Sequence, residues 1–410
     1  MRSFYVLRQG KAPNRQEEGP IRHLLYLCGM ILVLHLLQLP FMSSFKKHYW
    51  LLLFLPLTAL LFCKKNNKDQ NNEPPGAVDI RDSVVAQNLS YPWEILWGPD
   101  NMIWITERGG KISRFNPVTG AVTPLLTITE VVSNNEGGLL GMVLHPNFNT
   151  TPHVYVVYDY NNGANYNEKV VRYTYNGATL VSPLTIIDNL AASSIHNGSR
   201  LVIVNDKLFI TTGDASNTSL PQNTSSGNGK VLRLNLDGSI PADNPVAGNP
   251  YWSFGHRNPQ GLVYANSKLY SSEHGPSNDD EINIIVKGRN YGWPNVTGKC
   301  EGSEQTFCTA NNVVEPIASW TPTIACSGLD YYNSDAIPQW KNSLLLAALK
   351  DSRLYQLKLN DNGESVTGIN QYFTNKYGRM RDICISPAGK VYICTSNGGN
   401  DRIIEITAKN

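Results

Sequence analysis

The stretch SFGHRNPQGLVYANSKLYSSEHGPSNDDEINIIVKGRNYGW, residues 253–293, contains one short apolar hairpin between two polar clusters. The first cluster is GHRNP (255–259) and the second is EHGP (273–276). Gly, Pro and Asn are ordinary turn residues, so chain reversal alone would explain either cluster. Two such clusters around a single hairpin favour a functional site.

The hairpin is one copy of a unit that recurs along the chain. The unit is an apolar strand, a turn rich in Pro, Asp, Asn or Gly, a second strand that ends in small or polar residues, and a third strand often led by Lys or Arg. Six copies begin at Ile95, Gly141, Arg200, Gly261, Ser343 and Asp382. Strand repeats at intervals of a few tens of residues are typical of β-propellers. The sequence therefore predicts an all-β fold, a six-bladed β-propeller with a central channel, over residues 78–410.

Composition and charge restrict the class of partner. The 410 residues include 33 Gly, 24 Pro and 20 Tyr, which suits an all-β protein with many tight turns. The net charge is +2, only 17% of residues are charged, and no run of Lys or Arg follows the N-terminal region. These features indicate no nucleic-acid partner and favour small molecules or proteins.

The N-terminal region predicts export. Two apolar runs, 24–41 and 50–62, precede Cys63 and the polar linker 64–77. Read from Met42 as the true start, Lys46 and Lys47 form a positive n-region and 50–62 an h-region, and Cys63 stands where a bacterial lipoprotein is cut and acylated. The alternative is that 24–41 is a transmembrane helix. Both interpretations make 1–63 a leader and place the protein in the periplasm or on the outer membrane, with membrane contact only through an N-terminal anchor.

The cysteines of the predicted domain indicate structural roles. Cys300 and Cys308 lie on either side of a short polar loop and could form a disulfide. Cys384 and Cys394 flank a Pro-Ala-Gly turn and could face each other across a hairpin. No spacing fits a zinc site.

Polar groups follow the second strand of the repeat in five copies. A propeller would bring them to one mouth of its channel: Glu107-Arg108, Asp214, Glu273-His274, Lys350 and Ser396-Asn397. His196 precedes a strand whose hairpin partner ends at Asp214, so the two would meet as a general base and its orienting carboxylate. A turn histidine and a capping Asp explain the spacing equally well.

Charged residues near the predicted blade ends suggest ligands. Arg257, Lys350, Arg379 and Arg381 would repel one another in a channel unless an anion with several carboxylates joined them. Exposed surface charge is the alternative. Gly275-Pro276 followed by Asp279-Asp280-Glu281 is compatible with a hard cation such as Ca²⁺ or with a solvated acidic loop.

Six sequence blocks together resemble the soluble pyrroloquinoline quinone (PQQ) dependent sugar dehydrogenases, also called glucose/sorbosone dehydrogenases. The blocks are EGGLLGMVLHPNF, HNGSRLVI followed by TTGD, FGHRNPQGL, SEHGPSNDDEINIIVKGRNYGWPN, LLLAALK and GRMRDI, and they occur in the family's order. The resemblance covers most of the chain, from about Val84 to the C-terminus. It implies a propeller that holds PQQ, a tricarboxylic quinone, with Ca²⁺ at the channel mouth.

The resemblance also implies residue roles. His196 would take the proton from the sugar C1 hydroxyl and Asp214 would pair with it. The residues implied to hold PQQ or polarise its quinone oxygens are Arg257, Asn258, Lys350, Arg379 and Arg381. Arg257 would also take part in catalysis. The carbonyl oxygens of Gly275 and Pro276 would bind Ca²⁺. Glu136 stands where the family's glucose dehydrogenases have Gln, so its carboxylate would meet the negative charge of PQQ or pair with an Arg.

The function expected on this basis is oxidation of aldoses to lactones, with electrons passed to a respiratory or artificial acceptor. One alternative is a non-catalytic propeller of the same superfamily that binds a glycan or a protein. Another is a calcium-dependent, lactonase-like hydrolase, whose metal would need side-chain ligands such as Asn258 and Glu273.

Overall fold

The computed structural model describes residues 76–409. These residues form six four-stranded antiparallel sheets, which confirms the predicted six-bladed β-propeller. The predicted leader, 1–63, and most of the linker, 64–77, lie outside the described residues.

The strands are numbered in chain order from β1 (Ile80–Leu89). Blades 1 and 2 contain β2 (Pro92–Trp97), β3 (Ile103–Glu107), β4 (Lys111–Phe115), β5 (Val122–Thr127), β6 (Leu139–Leu144), β7 (His153–Asn162), β8 (Asn165–Tyr175) and β9 (Leu180–Ala191). Blades 3 and 4 contain β10 (Gly198–Val204), β11 (Lys207–Thr212), β12 (Lys230–Asn235), β13 (Tyr251–Phe254), β14 (Pro259–Ala265), β15 (Lys268–Glu273), β16 (Asp280–Ile285) and β17 (Ala318–Trp320). Blades 5 and 6 contain β18 (Cys326–Tyr332), β19 (Ser343–Ala348), β20 (Arg353–Leu359), β21 (Val366–Tyr372), β22 (Met380–Ile385), β23 (Val391–Thr395) and β24 (Asp401–Ala408). The helix α1 (Gln305–Asn311) and the 3₁₀ turns Gly302–Glu304 and Pro338–Trp340 lie in connections.

The two ends of the domain join in the same blade. β1 pairs antiparallel with β24 and forms the outer strand of blade 6, whose order is β1-β24-β23-β22. The first strand of each blade lies innermost and packs against the innermost strands of the neighbouring blades. This arrangement closes the ring around a central axis.

The core is divided among the six interfaces between blades. In β19, Leu344 and Leu346 pack toward blade 4, whereas Leu345 and Ala347 pack toward blade 6. Side chains alternate between the two faces of a strand, so a strand buried on both faces reads as a continuous apolar run. The run SLLLAA in the repeat therefore follows from its central place in blade 5.

A buried ion cluster joins the innermost strands of several blades. Arg200 on β10 lies 2.7 Å from Glu94 on β2 and 3.0 Å from Asp382 on β22. Its Nε donates to the carbonyl oxygen of Gln260 on β14 at 2.9 Å, and its guanidinium stacks 4.3 Å from the ring of Trp93. Arg200 thus connects four of the six blades at the axis.

The structure confirms one of the two predicted cysteine contacts. Cys300 and Cys308 form the predicted disulfide. The prediction that Cys384 and Cys394 face each other is wrong, because the register pairs Cys384 with Tyr392 and Cys394 with Asp382. Both cysteines are buried free thiols, as is Cys326.

Within residues 76–409, no helix has the length and apolar character needed to cross a membrane.

Candidate active site

His196 and Asp214 come together at one end of blade 3. His196 lies two residues before β10 and Asp214 two residues after β11, and the register pairs Gly198 with Thr212. The imidazole Nδ1 of His196 lies 2.9 Å from Oδ1 of Asp214. A Cβ at Gly213 would fall 1.7 Å from the carbonyl oxygen of His196, so glycine is required in the TTGD block. His196 itself has a φ of 65°, a strained conformation of the kind often found at functional sites.

The Asp214 carboxylate is buried and held by several donors. Its Oδ1 also accepts from the backbone N–H of Ser216 at 2.8 Å, and its Oδ2 accepts from Nε1 of Trp293 at 2.9 Å. Only 1% of Asp214 is exposed, whereas 15% of the His196 side chain is. Because the carboxylate accepts from Nδ1–H, the Nε2 of neutral His196 carries the lone pair.

A cavity of about 530 Å³ lies at the channel mouth. It is lined by Tyr91, Arg108, Asn135, Glu136, Gln260, His274, Ala325, Leu349, Lys350, Arg379, Arg381 and Ser396. Four predicted site residues are among them: Glu136, Lys350, Arg379 and Arg381. Arg108, His274, Lys350 and Ser396 follow β3, β15, β19 and β23, so these second-strand ends converge as the repeat predicts.

The cavity carries an excess of positive charge. Arg108, Lys350, Arg379 and Arg381 face one carboxylate, Glu136. Burial lowers the pKa of Arg381 to about 10 and also lowers the pKa of Arg108, while Glu136 opposes both changes. Among the described residues, the buried Nε atoms of Arg108 and Arg381 have no hydrogen-bond partner. Buried, unpaired guanidinium nitrogens in a cationic cavity are suited to an anionic ligand.

A smaller pocket adjoins this cavity and shares His274 as a wall residue. Arg257, Gly275, Pro276 and Trp293 line the smaller pocket. The Arg257 guanidinium stacks 5.3 Å from the Trp293 ring, and its Nη1 donates to the carbonyl oxygen of His274 at 3.1 Å. Burial lowers the pKa of His274 to about 3, so its imidazole is neutral at ordinary pH.

The hairpin of residues 253–293 brings its two polar clusters to the same end, because Pro259 pairs with Glu273. Glu273 contacts Nδ1 of His256 at 2.9 Å and also accepts from the backbone N–H of Arg257. The Nε2 of His256 lies 2.8 Å from the hydroxyl of Ser253. Glu273 and His256 are therefore the buried support of the loop that carries Arg257.

The structure places Asn258 beside the two cavities rather than in their walls. Its side-chain oxygen accepts from the backbone N–H of Gly198 at 3.1 Å, which ties it to the segment after His196. Its carbonyl oxygen accepts from the backbone N–H of His274 at 3.2 Å. Only 1% of Asn258 is exposed, so it supports the site from beneath.

The acidic residues after Pro276 also support the loop. Asp280 Oδ1 accepts from the backbone N–H of Gly275 at 2.9 Å, and Glu281 Oε1 accepts from that of Gly298 at 2.7 Å. In the part of the chain that the structure describes, no three His, Cys, Asp or Glu side chains are grouped to hold a metal ion.

Sequence reasoning missed Tyr91, Gln260 and Trp293. Tyr91 stacks 4.3 Å from the Arg108 guanidinium, and Gln260 accepts from Nη1 of Arg381 at 2.7 Å. Trp293 lies in the block NYGWPN, but its contact with Asp214 spans 79 residues and two blades. Local spacing carries no signal for contacts of this kind.

Comparisons with known proteins agree with the fold. Residues 89–405 match the sequence model of the family described as Glucose / Sorbosone dehydrogenase. Quinoprotein glucose dehydrogenase B of Acinetobacter calcoaceticus is 33% identical, over 92% of this chain and 94% of its own. An aldose sugar dehydrogenase of Escherichia coli is 31% identical, over 82% of this chain and 94% of its own. The structure of the PQQ-bound form of an aldose sugar dehydrogenase from Streptomyces coelicolor has a TM-score of 0.70 and 31% identity, covering 82% of this chain and 100% of its own.

The family match covers more than half of the chain and includes all six blades. The matched residues include the His196–Asp214 pair and the residues that line the cationic cavity. The chain therefore belongs to the glucose/sorbosone dehydrogenase family.

Proposed function

We propose that the protein oxidises the C1 hydroxyl of aldose sugars to give lactones, with PQQ and Ca²⁺ as cofactors and an external electron acceptor. The observation that carries the proposal is the His196–Asp214 pair at the same mouth of the propeller as the cationic cavity. The family supports sugar oxidation, and a PQQ-bound relative supports the choice of cofactor.

The residues of the cavity fit PQQ. Its volume of about 530 Å³ is within the range of small-molecule sites. A tricarboxylic quinone would supply partners for the unpaired Nε atoms of Arg108 and Arg381 and would offset the charge of Lys350 and Arg379. When bound, PQQ supplies the two-electron acceptor for the hydride that leaves the sugar C1.

Two groups of residues would orient the cofactor. Lys350 and the arginines would donate to its carboxylate and quinone oxygens, and Arg257 would act from the adjoining pocket. Glu136 would lower the net charge of the cavity, because its charge favours the protonated forms of Arg108 and Arg381. Its Oε2 accepts from the backbone N–H of His196 at 3.4 Å.

Ca²⁺ would bind beside the cofactor through the carbonyl oxygens of Gly275 and Pro276. A Cβ at Gly275 would fall 2.0 Å from the carbonyl oxygen of Asn278, so the tight bend needs glycine. Hard cations accept backbone carbonyl ligands, and Asp280 holds the bend from behind.

His196 would act as the general base. Its Nε2 would take the proton of the sugar C1 hydroxyl, and Asp214 would stabilise the imidazolium through the Nδ1–H hydrogen bond. The position of Asp214 is fixed before substrate arrives, because Ser216 and Trp293 already donate to its two oxygens.

The partners and location are also proposed. The substrate would be a small aldose, and the acceptor a respiratory carrier or an artificial dye. Export to the periplasm or the outer membrane would follow from residues 1–63, with the N-terminal anchor as the membrane contact. The lactonase-like alternative is less favoured, since Asn258 and Glu273 already accept from backbone N–H groups.

The test is reconstitution of the apo-protein with PQQ and Ca²⁺. Aldoses should then start the reduction of an artificial dye, and His196→Ala should slow it at least about a hundredfold while PQQ still binds. His145→Ala, near a different cavity, is the matched control and should keep full activity. Failure to bind PQQ, or dye reduction that does not depend on aldose, would refute the proposal.

A further inference from the structure

Trp293 extends the His196–Asp214 pair into an array of three side chains. Its indole Nε1–H donates to Asp214 Oδ2 at 2.9 Å, while Asp214 Oδ1 lies 2.9 Å from Nδ1 of His196. The indole comes from the loop after β16 of blade 4, whereas the pair belongs to blade 3. The array therefore crosses the interface between two blades.

Trp293 is fixed by contacts that do not involve Asp214. Its backbone N–H donates to the carbonyl oxygen of Gly255 at 3.0 Å, and its carbonyl oxygen accepts from Nε2 of Gln222 at 2.8 Å. Its ring face is covered by the Arg257 guanidinium at 5.3 Å. These tethers set the direction of the indole N–H independently of the carboxylate that receives it.

The two oxygens of Asp214 are held unequally. Oδ1 accepts from Ser216 N–H and contacts His196, whereas for Oδ2 the indole is the one partner among the described residues. Because only 1% of Asp214 is exposed, water is a poor replacement for that donor. Loss of the indole N–H would leave a buried carboxylate oxygen unpaired and free the carboxylate to rotate.

Indole is a hydrogen-bond donor and has no acceptor atom. Trp293 therefore cannot take a proton from Asp214, and its N–H can only favour the acceptor form of the carboxylate. An acceptor at Oδ1 in turn requires the proton of neutral His196 to lie on Nδ1, which leaves Nε2 free for the sugar hydroxyl.

We propose that Trp293 is a positioning residue that fixes the orientation of Asp214 and, through it, the tautomer of His196. The hydrogen-bond array can be tested without activity, while its kinetic consequence rests on the proposed function.

The first test is structural and uses the full chain without PQQ. The imidazole ¹⁵N and ¹H resonances of wild-type His196 should show the tautomer with the proton on Nδ1, and Trp293→Phe should show a mixture of tautomers. Phe keeps an aromatic face for Arg257 and removes only the donor. Trp252→Phe is the matched control, because Arg233 stacks on that ring at 4.8 Å in the wall of a different cavity.

A second measurement does not depend on the folding of the Trp variant. The indole N–H resonance of Trp293 should move in Asp214→Asn, because the acceptor loses its charge. An unmoved resonance, or a His196 tautomer that is the same in wild type and Trp293→Phe, would overturn the proposal.

The kinetic test uses the chain loaded with PQQ and Ca²⁺. Trp293→Phe should lower kcat about tenfold or more, with KM and PQQ affinity within about twofold of wild type. In a chain that already carries Asp214→Asn, adding Trp293→Phe should lower kcat little further, since Trp293 acts through Asp214. Independent, multiplying losses would refute action through Asp214. A wild-type chain with no aldose activity would refute the proposed function instead, and the tautomer measurement would still decide the role of Trp293.

Discussion

Replacement of Arg200 by Met should strongly destabilise the propeller. Arg200 is 3% exposed and lies 2.7 Å from Glu94 and 3.0 Å from Asp382. Removing one member of a buried ion cluster leaves uncompensated charge and typically costs about 3–5 kcal/mol. Met keeps the apolar stem of the side chain but loses the stacking on Trp93. We therefore expect the free energy of unfolding to fall by about 3–5 kcal/mol at pH 8.

The size of this loss should depend on pH. Burial raises the pKa of Glu94 and of Asp382, and Arg200 opposes both shifts. Without Arg200 the folded-state pKa of both carboxyls rises further. A raised folded pKa gives stability that is present at low pH and lost as pH rises through it. The loss should therefore be smaller at pH 5.5 than at pH 8, because a larger share of the variant's carboxyls is protonated at the lower pH.

The assay is urea unfolding followed by tryptophan fluorescence at the two pH values. Arg402→Met, at an exposed position, is the control and should change the free energy of unfolding by less than about 0.5 kcal/mol. Adding Glu94→Gln and Asp382→Asn to Arg200→Met should restore part of the stability, because no unpaired charge remains. A loss below about 1 kcal/mol at pH 8, or equal losses at both pH values, would show that Arg200 does not neutralise these carboxylates.

Three further predictions concern single residues. Arg381→Met should weaken PQQ binding at least about tenfold in a fluorescence titration, because it removes an unpaired buried donor from the cavity. Arg402→Met should bind PQQ as the wild type does. Equal PQQ affinities for the two variants would exclude Arg381 from the cofactor site. Burial raises the pKa of Asp330 to about 7, so the wild type should lose stability as pH rises through that value. In urea unfolding, the free energy of unfolding of Asp330→Asn should therefore rise by about 1 kcal/mol relative to that of the wild type between pH 6 and pH 8. A difference that stays constant with pH would refute this assignment. The buried ammonium of Lys230 donates to three backbone carbonyl oxygens at 2.7–3.0 Å. Lys230→Met should therefore lower the free energy of unfolding by about 3 kcal/mol and speed amide exchange in the loop after β11. Lys299→Met, at an exposed position, is the control, and unchanged exchange in Lys230→Met would show that Lys230 does not hold this loop.

The inner part of each blade could be predicted because it repeats. The two innermost strands of each blade are buried over most of their length on both faces, so they appear as apolar runs with turn residues between them. The outer strand carries little of that signal. In β21 none of the seven residues is fully buried, three being partly buried and four exposed. β5 and β9 each include a Pro, which an edge strand tolerates. The pairing of β1 with β24 in blade 6 could not be predicted either, because it joins residues from the two ends of the domain.

The site was predictable where one hairpin builds it. His196 and Asp214 flank an antiparallel pair, so their contact follows from the register. Contacts between blades were not predictable, and Trp293 is the clearest case. Cys384 and Cys394 were assigned wrongly because a turn of unknown length leaves the register undetermined, and a shift of two residues separates them.

The most direct test of the central claim is an anaerobic single turnover. The full chain, loaded with oxidised PQQ and Ca²⁺, is mixed with a stoichiometric aldose while bound PQQ is followed by absorbance and lactone is counted. We predict one lactone formed for each PQQ reduced, a slower rate with a C1-deuterated sugar, and almost no turnover in His196→Ala. Lactone formed without PQQ reduction, or no isotope effect and no loss in His196→Ala, would contradict hydride transfer from the sugar C1 with His196 as the base.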